Sequence, residues 1–232
     1  MHDMELSIRL GKTASLVEPC RCVADIGTDH AYIPIYLVKN GICEKAIASD
    51  INRGPIRKAE RNISLHGLAD RIECRIGPGL NTLKKGEADV AIIAGMGGNL
   101  IRDIIEERLG LFREFSYVVL QPVQNPEVLR EYIYRKGYEI MDEELCIDEN
   151  KYYEIIKIRF DEKKYNVDDI FFEVSEKLYR EKHPEMKDFI SHKAGKYRKI
   201  LDKIQEDTAT AVERKKEIEK KLRKLEEMLE CL

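Results

Sequence analysis

The sequence contains no run of 18 consecutive apolar residues, and its opening stretch, Met1 to Gly11, lacks the apolar core of a signal peptide. Both absences argue against a membrane span and Sec export and predict a cytoplasmic protein. Metal-ligand spacing is missing as well. Cys20, Cys22, Cys43, Cys74, Cys146 and Cys231 include no C-x-x-C; the nearest pair is C-x-C, with no second pair or histidine cluster beside it. No metal site is expected, and the thiols read as buried or incidental in a reducing compartment. A surplus of positive charge is also lacking, since the formal net charge is -3. Any nucleic-acid surface must therefore arise by clustering of basic residues.

What is present is enough chain for one ordinary domain plus an appendage, or for two small domains: 232 residues, 43% hydrophobic and 36% charged. The distribution of charge is more informative than its total. Residues 1–160 hold 22 Lys+Arg and 25 Asp+Glu, whereas residues 161–232 hold 18 of each, so half of the final segment is charged. This shift in composition predicts a domain boundary near Phe160, giving domains 1–160 and 161–232.

In the first domain, short apolar runs alternate with helical stretches. Cys22–Ile26, Ala46–Asp50, Ile72–Ile76, Ala88–Ala94 and Tyr117–Gln121 have strand character. Ile33–Lys39, Pro55–His66, Leu100–Glu107 and Pro126–Lys136 have helix character, with proline tolerated in the first turn. The alternation predicts an α/β fold with a mainly parallel sheet covered by helices. Tyr138–Ile147 and Tyr152–Phe160 are also strand-like, but only Asp148 to Lys151 separates them. That is too short for a helical crossover, so they should form an antiparallel hairpin. A nicotinamide-type Rossmann domain does not need this hairpin, whereas the seven-stranded class I methyltransferase sheet ends with one.

The most informative segment is Val23-Ala-Asp25-Ile-Gly27-Thr28-Asp29-His30-Ala31-Tyr32-Ile33-Pro34. A buried strand runs into glycine, where the chain turns sharply and lets a ligand approach the backbone, and a helix follows. The second strand ends in Asp50, placed to accept hydrogen bonds from two ribose hydroxyls. Asp29 occupies the position where a dinucleotide fingerprint requires its second glycine. A carboxylate there repels a pyrophosphate but suits the sulfonium or ammonium of S-adenosylmethionine. Glycines also close the third strand, at Gly77-Pro-Gly79-Leu80, and the fourth, at Gly95-Met96-Gly97-Gly98. Strand ends of an open α/β sheet share one crevice, so these glycines should converge there, with Gln121 on its wall.

Asp25-Ile-Gly-Thr-Asp-His-Ala-Tyr-Ile-Pro34, Ser49-Asp-Ile-Asn-Arg-Gly-Pro55, Ala94-Gly-Met-Gly-Gly98, Leu120-Gln-Pro122 and the opening Leu6-Ser-Ile-Arg-Leu10 closely resemble the bacterial tRNA (adenine-22-N1)-methyltransferase family. The resemblance covers essentially the whole chain. It implies a class I methyltransferase (Rossmann-like) fold with a C-terminal helical coiled-coil domain, S-adenosyl-L-methionine as donor and tRNA as substrate. The implied cofactor contacts are Asp25, Gly27, Thr28, Asp29, Asp50, Ile51, Gly77, Gly79, Leu80, Gly95 and Met96, with Gly97, Gly98 and Gln121 bordering the target base. Asp29, His30 and Tyr32 are the candidates for catalysis: His30 and Tyr32 to stack on the base or polarise it, and Asp29 to stabilise the developing cation or accept a proton. Pro78 stands where the family often has an acidic residue, so recognition of the cofactor adenine must use backbone atoms or another side chain.

Two basic clusters are candidates for tRNA contact: Arg53, Arg57, Lys58 and Arg61 after Asp50, and Lys193, Lys196, Arg198, Lys199 and Lys203 in the second domain. In that domain, steps of four and three from Ile190 through Ala194, Tyr197, Leu201 and Ile204 to Leu232 give thirteen positions. Eleven are apolar or aromatic, the exceptions being Thr208 and Lys215. This is a coiled-coil seam, read as two antiparallel helices turning near Asp207 with a shorter helix around Asp168 to Lys182 leading in. One long dimerising helix is the alternative; a monomer is favoured. Methylation of a small molecule or protein by the same fold, and a non-catalytic adenosyl-binding scaffold, are the competing functions.

Overall fold

The computed structural model describes residues 5–205 and 208–232. The chain divides into two compact units, Met1–Asn166 and Val167–Leu232. The first unit begins with α1 (Ile8–Ser15) and then alternates β1 (Cys20–Ile26), α2 (Tyr32–Lys39), β2 (Cys43–Asp50), α3 (Arg53–Leu65), β3 (Ile72–Ile76) and β4 (Val90–Gly97). It continues through α4 (Gly98–Glu107), α5 (Leu109–Phe112), β5 (Tyr117–Gln124), α6 (Pro126–Arg135), β6 (Tyr138–Asp148) and β7 (Lys151–Phe160). A single 3-10 turn, Gly79–Thr82, follows β3.

The sheet order is β3-β2-β1-β4-β5-β7-β6. Pairing is parallel from β3 across to β5, and β7 inserts antiparallel between β5 and β6. The switch from β1 leftward to β2 and rightward to β4 opens the crevice at the carboxyl ends of these strands. β1, β4 and β5 are nearly continuous apolar runs because helices bury both faces. Ile26, Ile93, Leu120 and Ile101 pack one face, and Val23, Ile35, Ile92 and Val119 the other. Each such side chain contributes roughly 1.5–3 kcal/mol on full burial.

Two differences from the sequence reading bear on the site. The expected fourth strand stops at Ala94, but β4 runs on through Gly97, with register shifts at Ala94/Met96 and Met96/Gly97. Gly95 to Gly97 is thus bulged strand rather than free loop, and bulges re-aim side chains beside functional sites. Helix α1 is absent from the expected elements; it is short, half-polar and capped by Ser7, whose hydroxyl accepts from the Leu10 N–H at 3.4 Å.

The expected boundary at Phe160 coincides with the end of β7, but 161–166 stay with the first unit. The Asp161 and Glu162 amides donate to Gly137 O, and the Tyr165 hydroxyl donates to Asp161 Oδ2 at 2.6 Å.

The second unit holds α7 (Ile170–Glu173), α8 (Glu176–Arg180), α9 (Met186–Leu201) and α10 (Ala209–Glu230). The expected lead-in helix is two short ones, because extended Val174 ends the first and Ser175 caps the next by accepting from the Leu178 N–H. One uninterrupted helix is not formed: α9 ends at Leu201 and α10 begins at Ala209, where Thr208 caps by accepting from the Ala211 N–H at 3.1 Å. Asp207, where the turn was expected, lies outside the described residues. Ile190, Ala194, Ile218 and Leu225 of the seam are buried, but Met228 takes the buried place expected for Leu229. Glu173 ties the unit together, with one carboxylate oxygen 3.3 Å from Lys193 Nζ and the other 2.8 Å from Lys221 Nζ.

Candidate active site

The site is built on the turn between β1 and α2. Gly27 has φ +80°, and the Gly27 and Thr28 amides both donate to Ser49 O of β2, at 2.8 and 2.9 Å. Asp29 and Ala31 also lie in the left-handed region, with φ 49° and 58°. For the two non-glycine residues this conformation costs energy and is maintained by the surrounding bonds. The φ of Gly27 is what calls for glycine; a Cβ there would also lie 2.1 Å from Met96 Cε, the movable end of a flexible side chain that reaches over from β4.

Asp25 and Thr28, expected at the cofactor, lie beneath the turn instead. Both are buried, and the Thr28 hydroxyl donates to Asp25 Oδ2 at 2.6 Å. Burial pushes the Asp25 carboxyl up to about 6, against the Thr28 hydrogen bond and with help from the nearby Asp50 charge. Their side chains hold the loop and do not line the crevice.

Above the turn, Asp29 is exposed, and its Oδ2 lies 3.4 Å from His30 Nε2. The His30 and Tyr32 rings stack with centroids 5.1 Å apart and planes 4° apart, and Tyr32 is exposed. Asn62 Nδ2 donates to His30 O at 3.0 Å, linking this corner to α3. The sequence thus brings together the three catalytic candidates within one local turn.

Asp50 closes β2 at the neighbouring strand end. Its Oδ1 accepts from the Asn52 N–H at 2.7 Å, and its carbonyl accepts from the Gly77 N–H at 3.0 Å. Ile51 is exposed beside it. Gly79, with φ +47°, starts the 3-10 turn against Ile104, which a Cβ there would meet at 3.1 Å. Leu80 departs from expectation: its side chain is in the core, leaving only backbone to a ligand.

Across the crevice, Gly95 is exposed with φ +77°, and Gly97 has open space, the nearest atom to an added Cβ being Gln124 Cβ at 4.0 Å. Gly98 is a packing glycine rather than a substrate contact, since a Cβ there would sit 2.3 Å from Asn125 O. Gln121 is also not free to touch substrate. It is fully buried, its Oε1 accepts from Gly95 N at 3.2 Å and from Arg9 Nη1 at 2.7 Å, and its Nε2 donates to Pro122 O. Arg9 is the residue that motif reading overlooked as a site element; its only sequence signal is its place in Leu6-Ser-Ile-Arg-Leu10.

The basic candidates separate by their partners. Arg53, Arg57, Lys58 and Arg61 are all exposed along α3. In the second unit Lys193 is spent on buried Glu173 and Arg198 pairs with Glu226 at 2.6 Å, while Lys196 and Lys199 are exposed.

A glycine cradle at the β1 end, a carboxylate at the β2 end and a parallel sheet closed by an antiparallel β7 define a class I S-adenosylmethionine-dependent methyltransferase. The cradle and Asp50 fit an adenosyl group, and the exposed Asp29 fits its cationic end.

The family model described as tRNA (adenine(22)-N(1))-methyltransferase matches residues 23–227. A Bacillus subtilis protein of that description is 39% identical over 156 residues, 67% of this chain and 66% of the relative's length. The crystal structure of the Bacillus subtilis m1A22 tRNA methyltransferase TrmK superposes with a TM-score of 0.87 at 31% identity, covering 98% of this chain and 100% of that one. The structure of M. capricolum TrmK in complex with S-adenosyl-homocysteine gives 0.84 at 28% identity, over 97% of this chain and 99% of that one. The chain belongs to the tRNA (adenine(22)-N(1))-methyltransferase family.

Proposed function

We propose that the protein transfers the methyl group of S-adenosylmethionine to N1 of adenine 22 in tRNA, in the cytoplasm and as a monomer. The observation that carries the residue assignment is the facing of two glycine-bearing strand ends, with Asp29, His30 and Tyr32 on one and the bulged Gly95 to Gly97 on the other. Among the described residues no helix is long and apolar enough to cross a membrane.

The bound cofactor supplies an electrophilic methyl group on a sulfonium. Unpaired adenine N1 carries a lone pair and no proton, so the N1–C bond forms as the C–S electron pair passes to sulfur. The methylated base ends with the positive charge, and no general base is required. The protein's work is alignment, desolvation and stabilisation of that charge. Asp50 holds the ribose and Gly27 gives backbone contact. The Asp29 carboxylate faces the cationic centre, and the stacked His30–Tyr32 pair offers a flat surface for the base. N1 lies on the Watson–Crick edge, so the adenine must leave any pair before it enters. The glycine-lined wall at Gly95 and Gly97 gives it room.

The tRNA backbone is met by Arg53, Arg57 and Arg61 on α3 and by Lys196 and Lys199 on α9. Beside them the His192 imidazole is held below its ordinary range, by partial desolvation and by the Lys196, Lys199 and Lys193 ammoniums.

Incubation with labelled methyl donor and unmodified bulk tRNA, followed by nucleoside analysis, tests the reading. The expected product is 1-methyladenosine. Label in another nucleoside, or only in a small molecule or protein, overturns it.

A further inference from the structure

We propose that Arg9 is a substrate-binding residue that holds a phosphodiester of the target nucleotide on the acceptor side of the crevice. Its guanidinium is placed by a built anchor. Gln121, fully buried, has its amide orientation locked by donation to Pro122 O, and its Oε1 therefore points at both Gly95 N and Arg9 Nη1. The Arg9 backbone is fixed separately, its N–H donating to Asp148 Oδ2 at 3.0 Å and its carbonyl accepting from the Thr13 hydroxyl at 2.9 Å. The guanidinium lies over the Tyr153 ring, 5.4 Å from its centroid.

The partners of the guanidinium are thus a carboxamide and a ring. Among the described residues no carboxylate lies within ion-pair distance of it; the nearby Asp148 accepts from the Arg9 N–H, and its charge acts on the guanidinium only from farther off. A neutral acceptor leaves the full cationic charge in place and leaves most of the five N–H donors for an external anion. A buried polar anchor for a half-exposed arginine, with no ion pair to serve, is a poor design for stability and a good one for binding.

Position decides which anion. The ribose-facing carboxylate and the cradle belong to β1 and β2, with β3 beyond them, while Arg9 reaches the ends of β4 and β5 on the other side of the switch. Its Nη1 is 3.8 Å from where a Cβ on Gly95 would stand, beside the exposed glycine of the acceptor wall. The formal negative charges that a tRNA nucleotide brings to that wall are its phosphates, and arginine matches phosphate with paired donors. The methionyl carboxylate of the donor is the other anion in the crevice, and the experiment separates the two.

This inference rests on tRNA as the acceptor, which formation of 1-methyladenosine by the unaltered protein establishes by itself. Arg9→Met, Arg9→Gln and Arg9→Lys are compared with it in steady-state methylation of tRNA across a salt series, with donor affinity by calorimetry and thermal melting alongside. For Arg9→Met and Arg9→Gln, kcat/KM for tRNA should fall about 10- to 100-fold, chiefly through KM. The slope of log kcat/KM against log salt should become shallower by about 0.7–0.9, the loss of one phosphate contact. Donor affinity should stay within about twofold, and Arg9→Lys should keep the wild-type slope. An unchanged slope in the neutral variants overturns the assignment. So does a fall in donor affinity with KM for tRNA unaltered, which would place Arg9 on the methionyl carboxylate. Equal impairment of all three variants in proportion to lowered melting temperature would make it structural.

Discussion

The Thr28 hydroxyl donates to Asp25 Oδ2 at 2.6 Å beneath a turn in which Gly27, Asp29 and Ala31 all have positive φ. This buried bond lets a strand end in a carboxylate and still bend into the cradle. It also makes the turn sensitive to pH. Burial raises the Asp25 carboxyl from 3.8 to about 6, so the folded protein holds this proton more tightly than the unfolded chain. Stability contributed through Asp25 therefore falls as pH rises through that window, and the full cost of ionisation is present above it. Asp25→Asn removes the ionisation and keeps an acceptor for Thr28. The variant should gain roughly 1–3 kcal/mol relative to wild type between pH 4 and pH 7.5. Urea unfolding at the two pH values measures the difference, and a pH-independent gap would be evidence against a buried, ionising Asp25.

Asp50 presents the opposite case, a half-exposed carboxylate at the next strand end, with only one oxygen engaged by the Asn52 amide. Asp50→Ala should weaken donor binding at least about tenfold, the scale of losing charge-assisted hydrogen bonds. Calorimetry with S-adenosylmethionine reads this directly, and unchanged affinity would refute the ribose assignment.

Gly97 and Gly98 are adjacent and should respond in opposite ways to the same substitution. Gly98→Ala forces a methyl against the Asn125 carbonyl and should lower stability by roughly 1–3 kcal/mol. Gly97 has φ -68° and free space, so Gly97→Ala should melt close to wild type while losing about tenfold in kcat/KM for tRNA. Melting curves and methylation kinetics on both variants separate packing from acceptor access.

Glu173 anchors the second unit electrostatically. Burial alone raises its carboxyl, but the ammoniums of Lys193 and Lys221, with help from Tyr197, override that and hold it at about 2, below the ordinary 4.5. Its contribution is present above pH 4.5 and is lost as pH falls toward 2. Glu173→Gln should cost roughly 2–4 kcal/mol at pH 7, and the difference should shrink in acid. Circular dichroism melts at pH 7 and pH 3 report both values.

The alternation of apolar runs and helical stretches specified the order of strands and helices, because parallel strands buried on both faces need long apolar runs and helical crossovers. The three-residue scale of Asp29, His30 and Tyr32 was equally legible, since a glycine-initiated turn keeps them local. What could not be read were facts that depend on which side chains meet across long separations. Gly97 and Gly98 look alike in sequence, and only the approach of Asn125 makes one a packing position and the other open wall. The five basic residues around α9 look alike too, until Glu173 and Glu226 claim Lys193 and Arg198.

Family, fold class, donor and the gathering of Asp29, His30 and Tyr32 at the first turn were thus determined by residue pattern alone, because each rests on neighbours in the chain or on strand ends that topology must gather. The burial of Asp25, Leu80 and Gln121, and the meeting of Arg9 with a glutamine 112 positions away, were decided only by tertiary structure. A side chain's desolvation and its partners depend on the packing of distant elements, and these turn a polar motif residue into either a ligand contact or the support beneath one.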